Sequence, residues 1–194
     1  GSGPWSPQNY TKRYLGPIPL WKALANSINT ATVRVSESVG LAAVKKVATD
    51  FGFASDLADG PAVALGVSES TLIEMTGAFA GILNGGSSVQ PYGLIDLRFK
   101  GDDQPLISQT GGIGERVISE KAARELIWMM SKVVEEGSGK RAALGDREVA
   151  GKTGTTQAAR DAWFIGFTGD YVTGIWMGND DNRIPEGASS ALPV

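Results

Sequence analysis

Lys152, Thr153, Gly154 and Thr155 bring an ammonium, two hydroxyls and a stretch of bare backbone into four consecutive residues. On a β-strand, Thr153 and Thr155 share one pleat face. Lys152 then supplies fixed positive charge for a carboxylate, and the two hydroxyls donate to it. Gly154 lets a ligand come close to the main chain, and a free N–H there can stabilise an oxyanion. The plainer reading is a surface lysine beside glycines that relieve crowding at a strand end. The tripeptide alone is a weak signal. Its neighbour Gly151 also invites the phosphate-loop pattern G-x-x-x-x-G-K-[ST]. That pattern needs glycine at 146, which is Asp146, and Gly145 comes one residue early. A phosphate loop also runs from a strand into a helix N-terminus. Here Gly154, Thr155 and Thr156 lead into a polar turn and another strand, so both spacing and context fail.

Ser27-Ile28-Asn29 is the second constellation. A hydroxyl near the buried side of a helix is ordinarily a small core group bonding the preceding turn. On a continuous helix, Ser27 and Asn29 point about 200° apart and cannot line one cleft. Asn29 and Thr30 are competent helix caps. A helix interruption at residues 27–30 would let both side chains converge, with Lys152 facing Ser27 directly or through one water.

Composition narrows the chemistry. The 194 residues contain no histidine and no cysteine. That removes His–Cys zinc sites, haem ligation, thiol nucleophiles and a Ser-His-Asp triad within the chain. Any general base must be Lys, Asp, Glu or Tyr, and no cofactor or metal is expected. A net charge of −3 argues against a nucleic-acid partner. With 42% hydrophobic and 20% charged residues, the chain reads as globular. No run approaches the roughly 20 apolar residues of a membrane helix.

Elements must hold these groups in place. Gly1-Ser2-Gly3 reads as a cloning scar, and residues 4–18 as an irregular lead-in. Pro19 suits a first helical turn, followed by Leu20, Leu24, Ile28, Ala31 and Val35 at helical spacing. Gly40 separates a second helix carrying Leu41, Val44, Val47 and Phe51. Residues 53–69 read as loop. Thr71 and Glu74 form a capping box ahead of Leu72, Met75, Phe79, Ile82 and Leu83. Residues 89–98 predict a short Pro-interrupted strand and 100–115 a surface excursion. Ser119 caps a helix with Ala122, Leu126, Met129, Met130 and Val133 on one face. Segments 148–156, 162–167 and 171–178 then predict a three-strand antiparallel meander whose middle strand is covered on both faces. Helices followed by adjacent strands indicate an α+β fold, divided into a mainly helical part, 4–147, and the meander, 148–178.

In order and spacing, four stretches resemble the transpeptidase domain of class A (bifunctional) penicillin-binding proteins. They are PLWKALANSINTATVRVSESVG, ALGVSESTLIEMTGAFAGILNGG, VVEEGSGKRAAL and VAGKTGTTQAARDAWFIGFTGDYVTGIWMGNDDN. K-T-G is one of that family's named motifs, and S-I-N is a form of its middle motif. The resemblance implies the serine β-lactamase-like antiparallel sheet packed with helices. It implies that Ser27 relays a proton between nucleophile and leaving amine, and that Asn29 orients the substrate's peptide. Lys152 would hold the serine and add positive field. Thr153 and Thr155 would receive the terminal carboxylate of a D-Ala-D-Ala stem peptide or a β-lactam, with Gly154 and Thr156 completing the substrate-binding set. The Thr155 N–H would be one of two oxyanion donors. A lysine serves as base in this family, which suits a chain without histidine.

The family's nucleophile lies in S-x-x-K, and no serine here has lysine three residues later. The expectation is a partial domain whose nucleophile segment, upstream glycosyltransferase domain and membrane anchor lie outside the sequence. It would be inactive alone and derive from a protein at the periplasmic face of the inner membrane. Missing sheet neighbours would favour self-association or a complementary fragment. The alternative is a non-catalytic peptide-binding or scaffolding module.

Overall fold

Thr71 opens the longest apolar segment of the first half by capping it. Its hydroxyl accepts from the Glu74 N–H, and the Glu74 carboxylate accepts from the Thr71 N–H at 2.8 Å. The computed structural model, which describes residues 5–109, 111–156, 160–181 and 183, shows five α-helices and seven strands. The proposed scar, Gly1-Ser2-Gly3, lies outside the described residues. In chain order the helices are α1 (Leu20–Ala25), α2 (Asn29–Val39), α3 (Leu41–Asp50), α4 (Leu72–Leu83) and α5 (Glu120–Glu135). Strands β1 (Ser87–Val89), β2 (Asp96–Leu97), β3 (Ile107–Ser108) and β4 (Ile113–Arg116) lie between α4 and α5. After α5 come β5 (Ala150–Thr155), β6 (Ala162–Phe167) and β7 (Val172–Met177).

The last three strands form an antiparallel sheet in the order β5-β6-β7. One face presents Ala150, Lys152 and Gly154, in register with Phe167, Ile165 and Trp163, and then with Val172, Gly174 and Trp176. Helices α4 and α5 cover it. Met130, Ala150 and Phe167 form a buried cluster joined by Leu24, Phe79, Ile82, Leu83, Leu126, Ile127 and Val172. Gly174 lies directly beneath α4, where a Cβ would collide with Thr76 and press on Leu72. Phe164 covers part of the opposite face, its ring lying across Gly151, where a Cβ would be 2.8 Å from the ring edge. Phe164 to Phe167 are all buried, as a central strand with two covered faces requires. Each large side chain buried there contributes about 1.5–3 kcal/mol. On β7 the second face stays open, with Ile175 and Met177 exposed.

The departures from the sequence reading are local. Pro19 stands one residue outside α1, in extended conformation. Residues 53–69 include a 3₁₀ turn, Pro61–Leu65. The buried positions after the break are Val33 and Ser36, while Val35 is exposed. The break resets the helical phase, so one period cannot run through both segments. In α5, Ala123 faces the core and Ala122 does not. The strand expected over 89–98 is instead two pieces, β1 and β2, with Pro91 packed against Gly77 between them. The excursion at 100–115 contains β3 and most of β4. Strands β2 and β3 pair inside the β1–β4 pair, giving two nested antiparallel ribbons. Every residue of β2, β3 and β4 is exposed, so their pairing leaves no hydrophobic alternation to read.

Candidate active site

Helix α1 ends in a left-handed turn at a serine. The Ser27 N–H donates to Leu24 O at 3.1 Å and the Ile28 N–H to Ala23 O at 2.9 Å. This pair of bonds is the Schellman closure, whose left-handed residue is usually glycine. Ser27 fills that position with φ 52°. Helix α2 restarts at Asn29. The chain therefore breaks between the two side chains that a continuous helix would have driven apart.

Ile28 precedes α2 and has no side chain able to cap it, so the lead-in supplies the cap. Buried Asn9 accepts from both the N–H and the hydroxyl of Thr30, each at 3.1 Å, and donates to Arg13 O at 2.8 Å. The Asn29 amide donates to Gln8 O at 2.9 Å. Residues 8–13, read from sequence as irregular, therefore fix the position of the Ser27–Asn29 segment. The partners are 21 residues apart, so no local capping pattern marks them.

Lys152 lies on the helix-covered face of β5. Its ammonium donates to Ser27 Oγ at 3.0 Å and to Thr153 O at 2.8 Å. Burial lowers this lysine from its ordinary 10.5 to about 8, because desolvation penalises the charged form. Such an amine can exchange a proton with a neighbouring hydroxyl near neutral pH.

Thr153 points to the other pleat face, where its hydroxyl meets Ser138 Oγ at 2.6 Å. Thr155 is exposed at the end of β5. Gly154 stands opposite Trp163, and a Cβ there would be 3.3 Å from the tryptophan Cβ. Its lack of a side chain admits Trp163 as well as leaving backbone bare. Thr156 is turned away into the β5–β6 connection. Its hydroxyl donates to Asp161 at 3.1 Å and accepts the Asp161 N–H at 2.9 Å, while Asp161 also accepts the Trp176 indole N–H at 3.0 Å. Of the residues singled out from sequence, Ser27 and Lys152 are joined directly and Asn29 flanks them across the turn. Thr156 is engaged in closing the hairpin.

Arranged this way, the site offers a hydroxyl on a proton-exchanging amine, an amide beside it, and a strand end with two threonine hydroxyls. Among the described residues no helix is long and apolar enough to cross a membrane.

The family described as "Penicillin binding protein transpeptidase domain" matches residues 1–182. Penicillin-binding protein 1A of Aquifex aeolicus is 34% identical over 98% of this chain, and that of Neisseria meningitidis 34% identical over all of it. The match takes in 26% of each relative, so the chain spans about a quarter of their length. The crystal structure of penicillin-binding protein 1A from Haemophilus influenzae superposes over 98% of this chain and 34% of its own. Its TM-score is 0.86 at 27% identity. PonA1 of Mycobacterium tuberculosis shares the fold at TM-score 0.78, 23% identity, covering 92% of this chain and 52% of its own. With the S-x-N turn closed against the K-T-G strand and the match running from residue 1 to residue 182, this chain belongs to the penicillin-binding-protein transpeptidase family.

Proposed function

We propose that these residues form the proton-relay and carboxylate-binding side of a peptidoglycan D,D-transpeptidase cleft. The supporting observation is the 3.0 Å bond from Lys152 Nζ to Ser27 Oγ, made between residues 125 positions apart. Ser27 carries a proton between the nucleophile and the departing amine, and Lys152 holds that hydroxyl and exchanges its proton. Asn29 orients the donor peptide through its amide. Thr153 and Thr155 receive the terminal carboxylate of a D-Ala-D-Ala stem peptide or of a β-lactam, and the Thr155 N–H faces the developing oxyanion. Gly154 keeps the strand edge open, and Thr156 holds the strand end in place through Asp161.

The acyl transfer has two covalent steps. A serine hydroxyl attacks the carbonyl between the two D-alanines, forming an ester and releasing D-alanine. An amine of a neighbouring stem then attacks the ester, forming the cross-link and freeing the serine. The attacking serine belongs to an S-x-x-K segment outside these 194 residues, and the chain alone is inactive. The longer protein is anchored at the periplasmic face of the inner membrane.

Labelled penicillin followed by peptide mass spectrometry tests this. The expected adduct lies on a serine outside these residues in the longer polypeptide, and none forms on the isolated chain. An adduct on Ser27 or another residue of the isolated chain contradicts the assignment. A longer polypeptide that takes no label supports a non-catalytic binding module instead.

A further inference from the structure

We propose that Ser138 is a positioning residue. It orients the Thr153 hydroxyl toward the cleft and thereby sets the preference for ligands ending in a free carboxylate. This inference rests on the carboxylate-binding reading of Thr153 given above.

Ser138 follows α5 and is gripped at both ends of its own structure. Its N–H donates to Ala25 O at 2.9 Å, satisfying a carbonyl that the Schellman closure of α1 leaves open. Gly137 allows this approach, since a Cβ there would collide with the Ala25 carbonyl. The Gly139 N–H donates to Val133 O at 2.9 Å and locks the following residue to α5. On the other side, Thr153 is fixed by its register with Phe164 in β6. The 2.6 Å contact between Ser138 Oγ and Thr153 Oγ1 therefore joins two immobilised backbones. An exposed hydroxyl pair ordinarily exchanges freely with water and is worth little. This one is held by the chain around it and needs no further ordering.

Either hydroxyl can donate in this contact, and we take Ser138 as the donor. Each hydroxyl has one proton and two acceptor lone pairs. If Ser138 donates to Thr153, the Thr153 proton remains available to a second acceptor. A hydroxyl that accepts one hydrogen bond becomes a stronger donor in the next, and a carboxylate is the acceptor that gains most. A carboxamide gains less. It is neutral, and its NH₂ group offers donors to a residue arranged to donate. Ser138 thus favours acid over amide without touching the ligand. Through Ala25 it also ties this selectivity to the turn that carries Ser27, two residues further on.

The test uses the longer polypeptide that carries the whole cleft, with two probes, N-acetyl-D-Ala-D-Ala and its C-terminal amide, titrated by NMR. Wild-type polypeptide binds the acid more tightly than the amide. In Ser138→Ala, which keeps the backbone N–H to Ala25, the acid-to-amide preference falls about 2- to 10-fold with the amide affinity unchanged. Ser138→Thr restores the preference, and Thr153→Val abolishes it. Thermal melting of each variant confirms that it is folded. A wild-type preference retained in Ser138→Ala overturns the role of Ser138 and leaves the carboxylate reading intact. Equal losses for acid and amide show a structural role only and overturn it as well. A wild-type polypeptide that binds neither probe, or both equally, overturns the carboxylate reading of Thr153 and this inference together.

Discussion

Replacing Ser27 by glycine should stabilise the chain relative to replacing it by alanine, although both remove the same hydroxyl. The reason is the backbone. Ser27 closes α1 in the left-handed region, at φ 52°. An L-residue there costs about 1–2 kcal/mol through contact of its Cβ with the following carbonyl. Glycine escapes that contact, but it loses about 0.5–1 kcal/mol more backbone entropy on folding. Both variants lose the hydrogen bond from Lys152 equally. The difference between them therefore isolates the conformational cost. Ser27→Gly should exceed Ser27→Ala by about 0.5–1 kcal/mol, a shift of about 1–4 °C in midpoint for a chain of this size. Urea denaturation at fixed pH, with equal m-values, reads the difference directly. Equal stability, or a more stable alanine variant, would refute the claim that serine sits under strain where glycine would be comfortable. The strain then could not be read as a cost tolerated for the hydroxyl.

Four further outcomes follow from the same geometry. Lys152, lowered from 10.5 to about 8 by burial, penalises the fold while it is charged. Because the unfolded state holds its proton more tightly between those two values, stability from this group rises as pH climbs from about 8 to 10.5. Lys152→Met should lack that rise in pH-dependent melting, and an identical rise in both proteins contradicts the shift. Asn9→Ala removes a buried cap from α2 and should cost about 1–2 kcal/mol in urea unfolding, whereas a change below about 0.3 kcal/mol would show that α2 needs no cap from the lead-in. Glu74, lowered to about 2 by its bonds to Thr71, Ala54 and Ser55, contributes stability that is complete above 4.5 and is lost as pH falls toward 2. Glu74→Gln should flatten that acid limb, and an unchanged limb would point to other carboxylates. Sedimentation should show concentration-dependent association through the open face of β7, where Ile175 and Met177 are exposed, while a monomer at all concentrations counts against it.

The meander was legible because each segment is of strand length, the connections between them are short and polar, and the middle strand is apolar on both faces. The capping box of α4 was legible because both partners lie within four residues. The turn at Ser27 was inferred from a conflict, since two groups meant for one cleft could not share an unbroken helix. What remained hidden is long-range or exposed. Asn9 and Gln8 reach partners 21 residues away, and Ser138 meets Thr153 across 15. None of these pairings leaves a periodic trace. The nested ribbons β1–β4 and β2–β3 were missed because β2, β3 and β4 bury no face. Hydrophobic alternation records burial, and backbone pairing alone does not produce it. The bonds between Thr156 and Asp161, five residues on, were hidden for the same reason, since only the turn between β5 and β6 brings the two together.

The account depends most on Ser27 and Lys152 acting as one proton-transfer unit. The second-order rate of acylation by benzylpenicillin, measured in the longer polypeptide for Ser27→Ala, Lys152→Met and the double variant, tests this most directly. A shared unit predicts that each single change slows acylation about a hundredfold or more and that the double variant is hardly slower than either single one. Losses that multiply in the double variant, or a single variant acylated at the wild-type rate, would contradict it.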